Sequence, residues 1–208
     1  MLDTKLVDAL LKGDEQAFGM VVQRYNRAMV RLAMAYVPSR AVAEEVAQEA
    51  WLAMVQGLSG FKGQSSLKTW LFGILLNRAK TNGHRERRSV AFSSLQTSST
   101  FGNERAASDW RALLERTSDR LTPAWGRSTL GISPEDRALG SELRLCLEEA
   151  IAGLPPAQRA VIILRDVEGW SAAEVCELLG ISPENQRVRL HRARIKVRSA
   201  VETYLCRR

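Results

Sequence analysis

The sequence predicts an all-α protein in which two small helical domains are joined by a flexible linker. Apolar residues recur with the 3.6-residue period of an α-helix, and the alternating pattern of a β-strand is absent. Helix-breaking and polar residues concentrate between residues 89 and 140, and seven of the twelve residues 89–100 are Ser or Thr. A length of 208 residues allows two small domains. We therefore place domains at residues 1–90 and 141–208, with a linker at residues 91–140.

The first domain contains a predicted helix with an acidic outer face. Glu44, Glu45, Gln48 and Glu49 share this helix with an inner apolar stripe. The stripe consists of Ala47, Trp51, Met54 and Leu58. Clustered carboxylates can hold metal ions or act in acid–base catalysis. No histidine, Gly-rich turn or second carboxylate cluster accompanies them, so the pattern favours a solvated or partner-binding face.

The next segment, residues 61–70, combines aromatic residues with Gly, Lys and Ser/Thr but lacks the residue order of a phosphate-binding loop. The helix that follows leaves Asn77, Arg78 and Lys80 on its outer side and continues into the basic residues 84–88. Aromatic residues beside a basic run are typical of single-strand binding, where stacking contributes about 1–3 kcal/mol per base. The alternative is that Trp70 or Phe72 belongs to the core.

Within the linker, the sequence predicts a short helix over residues 109–121, and we assign no function to Trp110 or Trp125. Helix boundaries in the second domain are strongly marked by capping residues, Pro and Gly. The predicted helix starts are at Pro134, Pro156, Ser171 and Pro183, and the predicted stops are at Gly153 and Gly180.

The last two of these helices match a helix-turn-helix, because a short helix, Gly180 and a brief turn precede a longer helix. The longer helix separates its faces. Its inner stripe consists of Gln186, Leu190, Ala193, Val197 and Val201. Its basic stripe consists of Arg187, His191, Arg194 and Arg198, bordered by Val188 and Arg192. The inner stripe can pack on the preceding helix, and the basic stripe can enter a major groove.

The charge distribution agrees with two nucleic-acid contacts. The net charge is +7, with +6 in residues 51–88 and +4 in residues 151–208, whereas the other two segments are mildly acidic. Two separate basic blocks favour a polyanion that is contacted twice. Arginine dominates both, and its planar fork suits phosphates and guanine edges better than a lipid surface.

Other classes of protein are disfavoured by what the sequence lacks. The three cysteines are thirty residues apart, and there are only two histidines, which argues against a disulfide framework, a zinc ribbon or a His-rich catalytic metal site. The longest apolar run, residues 32–37, is far shorter than the roughly 20 residues of a membrane span. We therefore expect a cytoplasmic protein with no membrane insertion, no metal and no cofactor.

The order and spacing of these segments resemble a bacterial RNA polymerase sigma factor of the sigma-70 family, in the extracytoplasmic-function (ECF) group. The matching segments are residues 13–18, 43–51, 61–77, 154–159, 165–169 and 190–194. The resemblance implies a sigma-2-like bundle over residues 1–90, which binds core polymerase and the −10 element. It implies a sigma-4-like helix-turn-helix domain over residues 141–208, which binds the −35 element.

The resemblance also implies site residues, position by position. The implied −10 contacts are Leu67 and Asn77, in or beside the pocket that accepts a flipped base, together with Trp70 and Lys80. Arg85, Arg87 and Arg88 are implied to touch phosphates near that pocket. The implied −35 contacts are Arg187, Val188, His191, Arg192 and Arg194. The implied contacts with core polymerase are Glu45, Gln48 and Glu49. An anti-sigma factor is a further implied partner. Gln186 departs from the apolar residue that many relatives have, so we expect either that it finds a hydrogen-bond partner or that the register at the start of its helix shifts.

The predicted function is promoter-specific transcription initiation by core RNA polymerase, with recognition of both promoter elements and help in strand opening. The protein itself makes no bond and is not an enzyme. One alternative is a stand-alone helix-turn-helix regulator whose first domain senses a ligand or dimerises. Another is a magnesium-dependent nucleic-acid enzyme that uses Glu44, Glu45 and Glu49.

Overall fold

The computed structural model describes the backbone of residues 2–93 and 134–206, and the side chains of residues 5–83 and 142–206. Every regular element in these ranges is helical, which confirms the all-α class. The N-terminal helices are α1 (Leu2–Leu11), α2 (Glu15–Ala33), α3 (Arg40–Gly57) and α4 (Leu67–Ser93). The C-terminal helices are α5 (Pro134–Ala152), α6 (Pro156–Ile162), α7 (Ala172–Leu179) and α8 (Pro183–Cys206).

Two compact units make up the described chain. Helices α2, α3 and α4 pack on one another in the first, and α5 and α6 pack on α8 in the second. Helix α4 continues to Ser93, a few residues into the predicted linker. The helix predicted over residues 109–121, together with Trp110 and Trp125, lies outside the described residues. The boundaries 1–90, 91–140 and 141–208 stay a prediction.

Local capping explains where the N-terminal helices begin. The Asp14 carboxylate accepts hydrogen bonds from the backbone N–H groups of Gln16 and Ala17, at 2.9 and 3.1 Å, and so starts α2. Ser39 does the same for α3 through the N–H of Val42. These two caps fix the directions in which α2 and α3 leave their loops.

Packing of long apolar side chains holds the N-terminal unit together. Its fully buried residues include Met29, Leu32, Met54, Leu71, Phe72 and Leu75. Trp51 anchors α3 to α2, because its ring meets Phe18 edge-on and its Nε1 donates to Oδ1 of Asn26 at 3.0 Å. This packing holds α3 and α4 side by side.

Helix α4 also passes very close to the chain that follows α2. A Cβ atom built on Gly83 would lie 2.4 Å from the carbonyl oxygen of Tyr36, a distance that real Cβ atoms do not reach. The contact therefore requires glycine. It places the part of α4 that leads into the basic sequence directly against the bundle.

A π-helical turn shapes the C-terminal unit. The consecutive residues 160–164 are all buried, which a regular surface helix does not allow. The turn Ile163–Val167 follows α6 and widens the helix, and the N–H of Glu168 bonds to the carbonyl of Ile163, five residues back. Arg159 closes the end of α5 by donating to the carbonyl oxygens of Ala152 and Leu154, and burial lowers the pKa of its guanidinium.

The helix-turn-helix forms at the predicted positions. Ser171 and Glu174 make a reciprocal capping box, with hydrogen bonds of 2.8 and 3.2 Å, at the start of α7. Gly180 has φ of +63°, a left-handed conformation that ends α7. The Ser182 hydroxyl then accepts from the N–H of Asn185 and starts α8.

Candidate nucleic-acid interface

The outer face of α8 is exposed along its first three turns. Arg187, Val188, His191 and Arg192 all lie open to solvent. On the opposite side, Gln186, Leu190 and Ala193 are buried, and Val197 and Val201 are half-buried. Helix α8 therefore has the two-sided character that major-groove recognition requires.

Arg194 differs from the other basic residues that were predicted on this helix. Its Nε and Nη2 donate to the two carboxylate oxygens of Asp166, at 2.8 and 2.6 Å. These hydrogen bonds raise the pKa of the Arg194 guanidinium above its ordinary value. Asp166 lies in the π-turn, 28 residues away in sequence, so helical periodicity gave no indication of the pair.

Gln186 lies on the inner stripe without a shift in helical register. Its side chain is buried, and its Nε2 has no hydrogen-bond partner among the described residues. An amide left unpaired in the interior costs about 1–3 kcal/mol. The polar residue at this inner position of α8 therefore lowers the stability of the C-terminal unit.

The segment before α4 carries a pair of aromatic rings. Phe61 and Trp70 have ring centroids 5.0 Å apart, and both are half-buried. Ser66 caps α4 by accepting from the N–H of Thr69 at 3.0 Å, and the two hydroxyls lie 2.9 Å apart. Lys62, in the same segment, is exposed.

The other predicted −10 residues lie at different depths on α4. Leu67 is only 1% exposed and belongs to the core of the bundle. Asn77 and Lys80 are exposed on the outer side. The backbone of α4 carries Arg85, Arg87 and Arg88 beyond them, and their side chains lie outside the described residues.

The predicted polymerase contacts lie on α3. Glu45 and Gln48 are exposed, whereas Glu49 accepts a hydrogen bond from Nη1 of Arg78 on α4 at 3.0 Å. Leu52 and Val55 are 60% and 55% exposed. Their spacing places them on the same side of the helix as Glu45 and Gln48. We call these four residues, Glu45, Gln48, Leu52 and Val55, the α3 outer face.

Sequence reasoning missed Leu52 and Val55 as surface residues of this face. The signal was available, because the inner stripe through Trp51 and Met54 leaves positions 52 and 55 pointing away from the core. Two large apolar side chains exposed side by side on one helix face make that face a candidate interaction surface.

In residues 5–83 and 142–206, no three His, Cys, Asp or Glu side chains are grouped so that they could hold a metal ion. Within the described part of the chain, no helix combines the length and apolar character needed to cross a bilayer.

Comparison with known proteins decides the family. Residues 21–89 match the family model of sigma-70 region 2, and residues 144–197 match that of sigma-70 region 4. An ECF RNA polymerase sigma-E factor from Escherichia coli (strain K12) is 30% identical over 208 residues, which is all of this chain and 98% of the relative. The chain belongs to the ECF group of the sigma-70 family.

Other relatives agree with this membership. An RNA polymerase sigma-H factor from Pseudomonas aeruginosa is 26% identical over 98% of this sigma factor and 95% of its own length. Two solved structures share the fold, both under 25% identical. CnrH, in complex with the cytosolic domain of CnrY, matches with a TM-score of 0.57, 21% identity and 97% coverage of both chains. RpoE from Bartonella quintana, in complex with the anti-sigma factor NepR, matches with a TM-score of 0.60 and 19% identity over 89% of this chain and 96% of that chain.

Family membership confirms the predicted function. This sigma factor directs promoter-specific transcription initiation, and the alternative of a stand-alone regulator is not favoured. The two family models also fall on the two segments for which the sequence predicted separate nucleic-acid contacts.

Proposed function

We propose that this sigma factor holds core RNA polymerase with the α3 outer face and contacts the promoter at two places. The outer face of α8 reads the −35 duplex, and the α4 region holds the opened −10 element. The observation that carries the proposal is the two-sided α8, the second helix of the helix-turn-helix, with an exposed basic face set against a buried stripe.

At the −35 element, α8 lies in the major groove. Arg187 and Arg192 offer planar forks that match guanine O6 and N7 or a phosphate, and each good base contact discriminates by about 1–3 kcal/mol. Val188, which is exposed between them, offers an apolar contact for a thymine methyl group. His191 lies between Arg187 and Val188 around the helix axis and belongs to the same surface.

At the −10 element, the α4 region accepts unpaired bases. The Phe61–Trp70 pair supplies a stacking surface, and the exposed Asn77 and Lys80 supply donors for a base edge and a phosphate. Arg85, Arg87 and Arg88 follow on the same helix and neutralise phosphates. Leu67, buried in the core three residues before Trp70 on the same helix, supports this surface from within the bundle. Holding bases in the unpaired state favours strand opening.

Core polymerase binds the α3 outer face in this proposal. Leu52 and Val55 provide the apolar anchor, and Glu45 and Gln48 provide the polar surroundings that set specificity. Glu49, the third predicted polymerase contact, accepts a hydrogen bond from Arg78 on α4. It therefore contributes to polymerase binding mainly by holding α3 against α4.

Three further parts of the proposal follow from the family. The protein acts without catalysing a reaction, since polymerase forms the bonds. It works in the cytoplasm, where promoter DNA and polymerase meet. An anti-sigma protein regulates it. The two solved relatives support this, because each was solved in complex with another protein, which in one case is an anti-sigma factor.

Transcription with purified components tests the proposal. We expect promoter-specific transcripts only when this chain and core polymerase are both present. Arg192→Ala should weaken promoter use by about 1–3 kcal/mol and relax the −35 preference. Transcripts that do not depend on promoter sequence, or tight sequence-specific binding of duplex DNA without polymerase, would contradict it.

The −10 contact has its own test. Asn77→Ala should impair open-complex formation more than −35 binding, because Asn77 is proposed to contact a base only after the strands separate. Permanganate reactivity of unpaired thymines measures the opening directly. An unchanged footprint would remove Asn77 from the proposed site.

A further inference from the structure

The Asp166–Arg194 pair has a geometry that leaves part of the arginine available. Nε and Nη2 of Arg194 donate to the two carboxylate oxygens of Asp166, so the carboxylate lies against one side of the guanidinium in a bidentate arrangement. The other edge of the guanidinium, with Nη1, has no hydrogen-bond partner among the described residues, and the Arg194 side chain remains 55% exposed. The pair therefore fixes the plane of the arginine while leaving donors directed away from the carboxylate.

The π-turn explains why Asp166 can hold the arginine in this way. Ile163 and Leu164 are buried on the inner side of the turn, and Arg165 donates to the carbonyl oxygen of Trp170 just beyond it. Asp166 is thus attached to a backbone that is tied down on both sides. Its own side chain is 31% exposed and faces α8 through the hydrogen bonds to Arg194. π-turns of this kind occur frequently at functional sites.

We propose that Asp166 is a positioning residue for DNA recognition, which holds Arg194 so that its free edge donates to a backbone phosphate beside the −35 element. The inference rests on the proposed placement of α8 in the major groove. It adds a residue outside α8 to the residues that determine how this sigma factor binds its promoter.

The location of Arg194 on α8 indicates a phosphate rather than a base. It lies eleven residues beyond Pro183, about 16 Å along the helix axis, whereas the first turns of a recognition helix reach base edges. It also lies about 20° around the axis from Arg187 and about 160° from Arg192, so it extends the Arg187 edge of the outer face. Residues at the flank of a helix in a groove meet the sugar–phosphate backbone.

Charge alone and positioning make opposite predictions for one variant. Asp166→Asn removes a negative charge close to DNA, so simple electrostatics predicts tighter binding. If Asp166 positions Arg194, the same change should instead weaken promoter binding by about fivefold, because the arginine is no longer fixed. If the Asp166–Arg194 pair only stabilised the fold, it would contribute about 0–1 kcal/mol to the free energy of unfolding. Its loss would then change the melting temperature without changing the salt dependence of DNA binding.

The experiment uses the full chain bound to core polymerase on duplex promoter DNA, with affinity measured over a series of salt concentrations. Arg194→Gln should lower affinity about tenfold and reduce the slope of log K against log salt by about one. Arg194→Lys keeps the charge but loses the fork, and should also bind more weakly than wild type. The double variant D166N/R194Q should be no weaker than R194Q alone, since Asp166 acts through Arg194.

Glu202→Gln is the matched control, because it removes an exposed carboxylate from the same helix and should leave affinity unchanged or slightly increased. Thermal unfolding of each variant identifies any that fails to fold, and R194K then carries the test. Wild-type or tighter binding by D166N, or wild-type binding by R194K, would overturn the inference. If the Arg194 variants lose affinity only for promoters with guanine at one position, Arg194 contacts a base, and the proposed phosphate contact is wrong. If Arg192→Ala leaves promoter use unchanged, the proposed −35 contact of α8 is contradicted, whatever the Asp166 and Arg194 variants show.

Discussion

Arg78 on α4 donates a hydrogen bond from Nη1 to Oε2 of Glu49 on α3, with the two atoms 3.0 Å apart. The pair joins the helix proposed to hold polymerase to the helix proposed to hold the −10 element. It also leaves Glu45, Gln48, Leu52 and Val55 as the outward surface of α3. Polymerase affinity should therefore depend more on these four residues than on Glu49.

Leu52→Ala should weaken binding to core polymerase by about 1–2 kcal/mol, in the range typical of an apolar anchor at an interface. Met20→Ala is the control, because Met20 on α2 is equally exposed, at 62% against 60% for Leu52. Titration of labelled chain with core enzyme measures both. Equal losses in the two variants would remove the α3 outer face from the proposal.

Gly83→Ala should destabilise the N-terminal unit by about 1–3 kcal/mol, because the added methyl group must displace the Tyr36 carbonyl or shift α4. Gly73 lies in the same helix, and a Cβ there meets nothing within 4 Å. Gly73→Ala should therefore stabilise the chain by about 0.5–1 kcal/mol through helix propensity. Urea unfolding followed by circular dichroism compares the two, and effects of the same sign would contradict the close approach.

Gln186→Met should stabilise the C-terminal unit by about 1–2 kcal/mol, since it replaces a buried, unpaired amide with an apolar side chain of similar shape. Thermal unfolding monitors the change. Arg187→Met, on the exposed side of the same turn, controls for a general gain from methionine and should change stability little. A loss of stability in Q186M would show that the amide is satisfied in solution.

Cys146 should react with iodoacetamide more slowly than Cys206. Cys206 is exposed, whereas Cys146 is half-buried with its Sγ 3.7 Å from the carbonyl oxygen of Ala200. Burial, with a further contribution from Glu149, raises the pKa of the Cys146 thiol. A raised pKa means less thiolate at a given pH, so the reaction of Cys146 should accelerate only at a pH above the range in which an ordinary cysteine ionises. Peptide mass spectrometry measures both rates, and the difference should disappear in urea.

Short-range chemistry made much of the fold predictable. The capping box of Ser171 and Glu174, the left-handed Gly180 and the start of α8 at Pro183 each depend on residues within one helical turn. The two faces of α8 also followed from its period. Gln186 was predicted to find a partner or shift the register, and it does neither among the described residues.

Contacts between distant segments were not predictable from those signals. The pairs Glu49–Arg78 and Asp166–Arg194 join residues 29 and 28 positions apart, and the second depends on a π-turn with no local sequence signature. Leu67 shows the opposite case. Its spacing from Leu71 and Leu75 is that of the inner stripe of α4, a signal of the core position that was not used when the family resemblance implied a DNA contact.

The unbroken course of α4 has a consequence for promoter geometry. Asn77 and Arg88 lie eleven residues apart on one helix without a proline between them, a separation of about 16 Å along its axis. This length corresponds to about five base-pair steps of 3.4 Å each. Each residue inserted between them would also turn Arg88 by about 100°. In the proposed complex, the helix thus fixes an angular phase as well as a span between the Asn77 and Arg88 contacts.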